Sequence, residues 1–227
     1  MSQAEDKQVR VWDAPVRLFH WALALLFVFM IVSGKMKGDW MVWHMRTGYA
    51  ILALVLFRIL WGFAGSTYAR FSSFLAGPSA AVAFMKKAFA RAPAPYASHN
   101  PLGGWMVIAL LAALLFQVGT GLFANDDVLV EGPLASLVRK DLSDKLTSWH
   151  YWNVNLLLVL VAVHVVAVAY HAVVMKENLI GAMFTGVKRM PAGAPEDASA
   201  RFASPWLALV LLGLAALAVY LIVKRPF

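Results

Sequence analysis

Polar and apolar positions along this chain separate into long blocks. Five predominantly apolar stretches, Leu18–Val32, Trp43–Phe63, Trp105–Phe123, His150–Val174 and Trp206–Val223, alternate with polar or proline-bearing segments. They are read as the apolar cores of five helices that cross the roughly 30 Å hydrocarbon layer of a bilayer. The prolines all fall outside these cores, which suits uninterrupted helices. The pattern predicts an all-α membrane protein.

The connections predict the organisation. Residues 1–17 form a short polar N-terminal segment, and residues 18–175 hold the first four spans. Residues 176–204 form a linker, and residues 205–227 the fifth helix and C-terminus. The turn Gly34–Met41 is brief, so spans one and two are expected to be antiparallel neighbours. Within Thr67–Gly103, the stretch Ser79–Arg91 reads as a surface amphipathic helix. It sets Val82, Phe84, Met85 and Phe89 against Lys86, Lys87 and Arg91. The alternation Ala92–Tyr96 breaks it. The loop Ala124–Ser148 is acidic and contains a helical-looking part, Leu134–Leu146, and the linker holds a flexible run, Pro191–Ala200.

Composition agrees with a chain embedded in membrane lipid. Hydrophobic residues make up 61% of the 227, and mean hydropathy is +0.69. With no cysteine, covalent c-type haem, cysteine-ligated iron–sulfur clusters and disulfides are excluded. The net charge of +8 does not point to nucleic acid, because the cations lie in loops beside membrane spans. Twelve of the 20 basic residues fall on the N-terminal side of such a topology. That predicts an inner-membrane, multi-pass protein with its N-terminus in the cytoplasm.

Histidines carry the candidate chemistry. His20 and His44 lie near the starts of spans one and two, and His150 and His164 lie fourteen residues apart on span four. Fourteen helical residues rise about 21 Å and end about 40° short of four full turns. Both imidazoles of span four therefore share a face, one near each side of the bilayer. A histidine in hydrocarbon is costly unless partnered. Depth matching pairs His20 with His164 at the inner level and His44 with His150 at the outer. Two b-type haems, each held by two neutral imidazoles, satisfy both levels.

Neighbouring residues fit around that reading. Gly34, fourteen residues after His20, and Gly48, one turn after His44, leave room for a flat macrocycle, or simply for close helix packing. Gly119 and Gly121 do the same on span three. Arg17 and Arg58 either clamp haem propionates or snorkel to the interface. His171, seven residues past His164, either replaces it as ligand or hydrogen-bonds a quinone head group at the inner haem edge, unless it is a plain interfacial histidine. His99 is expected not to ligate.

At this point the sequence resembles a known family. VWDAPVRLFHW (Val11–Trp21), HMRTGYAILALVLFRILWGFAGSTYARFSSF (His44–Phe74), HNPLGG (His99–Gly104), the His150/His164 pair and KENLIGAMFTGVKR (Lys176–Arg189) occur in order. They are similar to the bacterial cytochrome b561 group, which includes the b-type cytochrome subunit of nickel–iron hydrogenases. The resemblance covers roughly residues 10–190. It implies a four-helix membrane bundle with two b haems on His20, His44, His150 and His164, and electron exchange between a quinone pool and a partner. The fifth helix lies outside that core.

The expected function is transmembrane electron relay. Quinone would exchange at the inner end near His171, Arg17 and Arg70. A periplasmic c-type cytochrome or other redox subunit would meet the acidic outer loop. The rivals are a superoxide oxidase passing its electron to quinone, a hydrogenase anchor, and a non-redox scaffold or haem carrier.

Overall fold

The computed structural model describes residues 7–36, 38–89, 96–128, 130–190 and 199–224. Among these, five helices are long and apolar enough to cross a membrane. They are α1 (Ala14–Ser33), α2 (Trp40–Ala64), α5 (Pro101–Gly121), α6 (Lys140–Val173) and α8 (Pro205–Val223). Shorter helices are α3 (Phe71–Phe74), α4 (Pro78–Phe89) and α7 (Leu179–Thr185), and strands β1 (Lys7–Arg10) and β2 (Val187–Met190) form one antiparallel pair. The all-helical membrane class is as the sequence predicts. Large apolar side chains such as Leu25, Phe63, Val166 and Trp206 point outward. A surface of that kind belongs in lipid rather than water.

Helix boundaries follow local chemistry. Asp13 caps α1, its Oδ1 accepting from the Val16 N–H at 2.8 Å. Its Oδ2 accepts from the indole N–H of the fully buried Trp61 at 2.9 Å. Asn100 caps α5 through the Gly103 N–H at 2.8 Å, with Pro101 in the first helical position. Asn178 caps α7, and Gly186 closes it at φ +84° in the left-handed region. A Cβ at Gly186 would lie 2.6 Å from the Trp12 carbonyl.

The chain divides into two compact units. One comprises Met1–Leu18, Leu60–Ala109 and Ala162–Ala208; the other comprises Phe19–Ile59, Leu110–Val161 and Leu209–Phe227. In the first unit, Gly186 O accepts from the N–H groups of Val11 and Trp12, continuing the β1–β2 pairing. The turn at Ser66 and Thr67 binds Arg201 and Ala203, and the Arg10 guanidinium sits 4.4 Å over the Phe202 ring. In the second unit, α8 meets α2 across an apolar cavity of about 310 Å³ lined by Tyr49, Ala50, Ala53, Ala216 and Tyr220, with Lys224 at its end.

Several boundaries differ from the sequence reading. The fourth helix begins at Lys140, ten residues before His150, because the charged segment after Arg139 continues the helix beyond its apolar part. The polar N-terminal segment and the linker are joined as β1 and β2, and the linker holds α7. The amphipathic helix exists as α4, but it buries Ala81 and Phe84 and exposes Val82 and Met85. Phe84 instead meets the Tyr96 ring at 5.6 Å. Arg91, the alternation at 92–95 and most of the run Pro191–Ala200 lie outside the described residues.

Candidate metal centre

In the second unit the imidazoles of His44 on α2 and His150 on α6 face each other. Their ring centroids are 6.2 Å apart and their planes cross at 76°. Two imidazoles on opposite sides of one metal ion bond it at about 2 Å each. Adding the distance from ring nitrogen to ring centre on both sides gives a centroid separation of about 6 Å. The observed pair fits that value.

Hydrogen bonds select which nitrogen is available. His150 Nδ1 donates to the Gln117 carbonyl at 2.9 Å, with the Thr120 hydroxyl at 3.4 Å. His44 Nδ1 lies 3.2 Å from the Ser33 hydroxyl, which itself donates to the Met30 carbonyl at 3.4 Å. Both rings thereby keep Nε2 as the free lone pair. An Nδ1–H bond of this kind fixes tautomer and orientation and strengthens a metal-binding imidazole.

The backbone makes room for these rings. A Cβ at Gly34 would lie 3.0 Å from His44 Cε1, and one at Gly121 would lie 2.9 Å from His150 Cε1. Gly48 has ordinary space toward Met30 at 3.7 Å, and Gly119 has nothing within 4 Å. The buried Asn153 amide donates to the Ala113 carbonyl at 2.9 Å and to Gln117 Oε1 at 2.8 Å. It thus joins α6 to the α5 turn that holds His150. Among the described residues no group of three or more His, Cys, Asp or Glu side chains is set to hold a bare ion. Two imidazoles suit a metal that brings its other ligands with it, as haem iron does.

His20 sits half-buried on α1 in the second unit, and His164 half-buried on α6 in the first. Arg58 is 3% exposed, a guanidinium buried in the body of α2. The Arg17 guanidinium donates to the Phe184 carbonyl at the end of α7. Arg70 Nε donates to the Gly65 carbonyl at 2.8 Å. His99 lies between the rings of Trp12 and Phe74, at 4.8 and 4.7 Å.

His171 stands in a polar cluster of the first unit that sequence reasoning did not assemble. Its Nδ1 is 2.6 Å from Glu177 Oε2, and its Nε2 is 3.5 Å from the Asn100 amide nitrogen. Lys188, buried, lies 2.5 Å from Glu177 Oε1 and donates to the Tyr96 carbonyl at 2.6 Å. Burial works against the Glu177 charge, but the hydrogen bonds from His171 and Lys188 and the Lys188 charge outweigh it. The carboxyl is brought down to about 2. HNPLGG and KENLIGAMFTGVKR carry these partners, and in the sequence only the family resemblance singled these motifs out.

The fold and site define a class: an all-helical, multi-pass membrane protein with a facing intramembrane histidine pair. The chain belongs to the prokaryotic cytochrome b561 family, whose model matches residues 11–186. It is therefore a b-type cytochrome, a haem b protein of electron transfer. It is 27% identical over 221 residues to a probable Ni/Fe-hydrogenase B-type cytochrome subunit of Azotobacter chroococcum, covering 83% of this chain and 91% of the relative. A relative of the same description from Azotobacter vinelandii is 27% identical over 224 residues, with the same coverage. Another, from Bradyrhizobium diazoefficiens, is 24% identical over 216 residues, covering 80% and 86%. No solved structure matches the chain.

Proposed function

We propose that this cytochrome relays single electrons across the inner membrane through two b haems, between quinone and a redox protein. The observation that carries the reading is the His44–His150 pair, 6.2 Å apart with both Nε2 atoms free. These two side chains hold one haem. The depth matching of the sequence assigns His20 and His164 to the second. Haem b, when bound, supplies reversible one-electron chemistry at iron.

The chain's own groups do the rest. Gln117 and Ser33 orient the imidazoles, and Gly34, Gly48 and Gly121 keep the approach open. The buried Arg58 guanidinium, in the body of α2, is of the kind that pairs well with a propionate carboxylate. Arg17 serves the same purpose at the end where α1 begins. With the N-terminus cytoplasmic, His171 and Arg70 stand at the inner level, where quinone would exchange. The acidic loop 124–148 stands at the outer, where a periplasmic c-type cytochrome would dock.

A second reading has specific support. The relatives are described as hydrogenase cytochrome subunits, which favours a hydrogenase as the redox partner. One comparison tests both: purified protein is offered hydroquinone, superoxide, reduced c-type cytochrome and a reducing hydrogenase. The relay predicts haem reduction or reoxidation by quinone and by one protein partner. Reduction by superoxide alone would replace the relay with an oxidase, and no bound haem would leave a scaffold.

A further inference from the structure

Asn100, His171, Glu177 and Lys188 come from four separate stretches of chain and converge in the first unit. Backbone conformation is committed to this meeting. Lys176 holds φ +57°, a left-handed conformation that a lysine rarely adopts. It turns the chain so that Glu177 returns beneath the end of α6, where the Glu177 N–H donates to the His171 carbonyl at 2.9 Å. Non-glycine residues persist in such conformations where the surroundings hold them, and they gather at functional sites.

The hydrogen bonds set the chemistry of one atom. Glu177 Oε2 accepts the Nδ1 proton of His171, so Nε2 carries the lone pair. Lys188 engages the other carboxylate oxygen at 2.5 Å and keeps Glu177 an anion. A proton taken at Nε2 makes an imidazolium directly paired with that anion. Asn100 is oriented by its own cap, Oδ1 receiving the Gly103 N–H, so its amide N–H₂ faces His171. At 3.5 Å that contact is long enough for a hydroxyl to displace it.

We propose that His171, positioned by Glu177 and Lys188, is the group that takes and returns the protons of quinone at this end of the molecule. The inference rests on the quinone reading above. A hydroquinone gives up two electrons and two protons as its two O–H bonds break and both oxygens become carbonyls. The two electrons would leave one at a time to a bound b haem, which supplies the one-electron chemistry, and from it to the protein partner. A haem carries no proton, so each proton needs an acceptor at the ring. It goes to His171 Nε2 and is released to water before the second follows. In the direction of quinone reduction the same atom donates. His171 touches the substrate; Glu177 and Lys188 are positioning residues that act through it.

The test compares two donors on haem-loaded wild type, Glu177→Gln and His171→Gln. One donor is a short-chain hydroquinone, the other a one-electron metal complex that carries no proton. The His171→Gln side chain can still donate to Glu177 but is no base. Hydroquinone-driven haem reduction is expected to slow about 100-fold or more in His171→Gln and about tenfold in Glu177→Gln, within the range of general-base catalysis. Reduction by the proton-free donor and the haem spectra stay at wild-type values, and the solvent deuterium effect seen with hydroquinone in wild type falls in both variants. Wild-type hydroquinone rates in both variants would overturn the proton role and leave the quinone site standing. Equal slowing with both donors would overturn it in favour of a structural tie. Failure of hydroquinone to reduce the wild type would overturn the quinone reading and the inference with it.

Discussion

The His150 ring is held on one side by the Gln117 carbonyl at 2.9 Å and faces His44 across 6.2 Å on the other. On the proposed reading, these two rings would hold one b haem in the second unit. Substituting either histidine by alanine is expected to remove one b haem and leave the second. His20→Ala or His164→Ala should remove the other. Pyridine haemochrome stoichiometry reads the result, two per chain in the wild type and one in each variant. If His171→Ala costs a haem and His164→Ala does not, the pairing is wrong.

The glycines provide a graded test of the same centre. A Cβ at Gly121 would stand 2.9 Å from His150 Cε1, whereas at Gly119 it would meet nothing within 4 Å. Gly121→Val should therefore displace the imidazole and abolish or redshift the haem that it holds. Gly119→Ala should bind haem as the wild type does. Ser33→Ala, which removes only the partner of His44 Nδ1, should weaken haem retention about 10–100-fold. Absorption spectra of the purified variants decide each case.

Glu177 links stability to pH. Its folded pKa of about 2 lies below the 4.5 of an unconstrained glutamate. The stabilisation is then complete above pH 4.5 and disappears as pH falls through 2. At neutral pH it contributes about 2 kcal/mol once its partial exposure is allowed for. Thermal unfolding in detergent should show Glu177→Gln melting below the wild type at pH 7, with the gap closing toward pH 2–3. A gap that stays constant over that range would show that the carboxylate charge is not the cause.

Truncation before Ser204 should leave the haem spectrum unchanged. The fifth helix, α8, has no histidine and no charged residue before Lys224, and an open apolar cavity lies between it and α2. The bonds of Arg201 and Ala203 to the Ser66–Thr67 turn would remain in the shortened chain. Loss of both haems would make α8 part of the haem-holding core.

The spans were legible because helices in lipid are apolar on every side, so length alone marks them. Depth placed His44 and His150 at one level, and their rings lie 6.2 Å apart; Gly34 and Gly121 were singled out by position. Sequence said nothing of Gln117 and Ser33 as partners of the two rings, since a polar residue in a span gives no sign of which neighbour it meets. The β1–β2 pair escaped notice because four-residue strands separated by some 180 positions leave no periodic trace. The Asn100–His171–Glu177–Lys188 cluster is of the same kind. Its members lie at a helix cap, a helix end, a loop and strand β2, up to 88 positions apart, and only folding brings them together.

The continuity of α6 has an electrical consequence. His164 and His150 stand about 21 Å apart along one helix, against a hydrocarbon layer of about 30 Å. If the proposed haems sit at those two levels, an electron passing between them would traverse about 0.7 of the membrane voltage. That is worth about 1.6 kcal/mol for every 100 mV, more than a tenfold bias on the equilibrium between the two ends. The resting potential of the cell would then act on this cytochrome as a second driving force beside the reduction potentials, favouring electron flow toward the positive face and opposing its return.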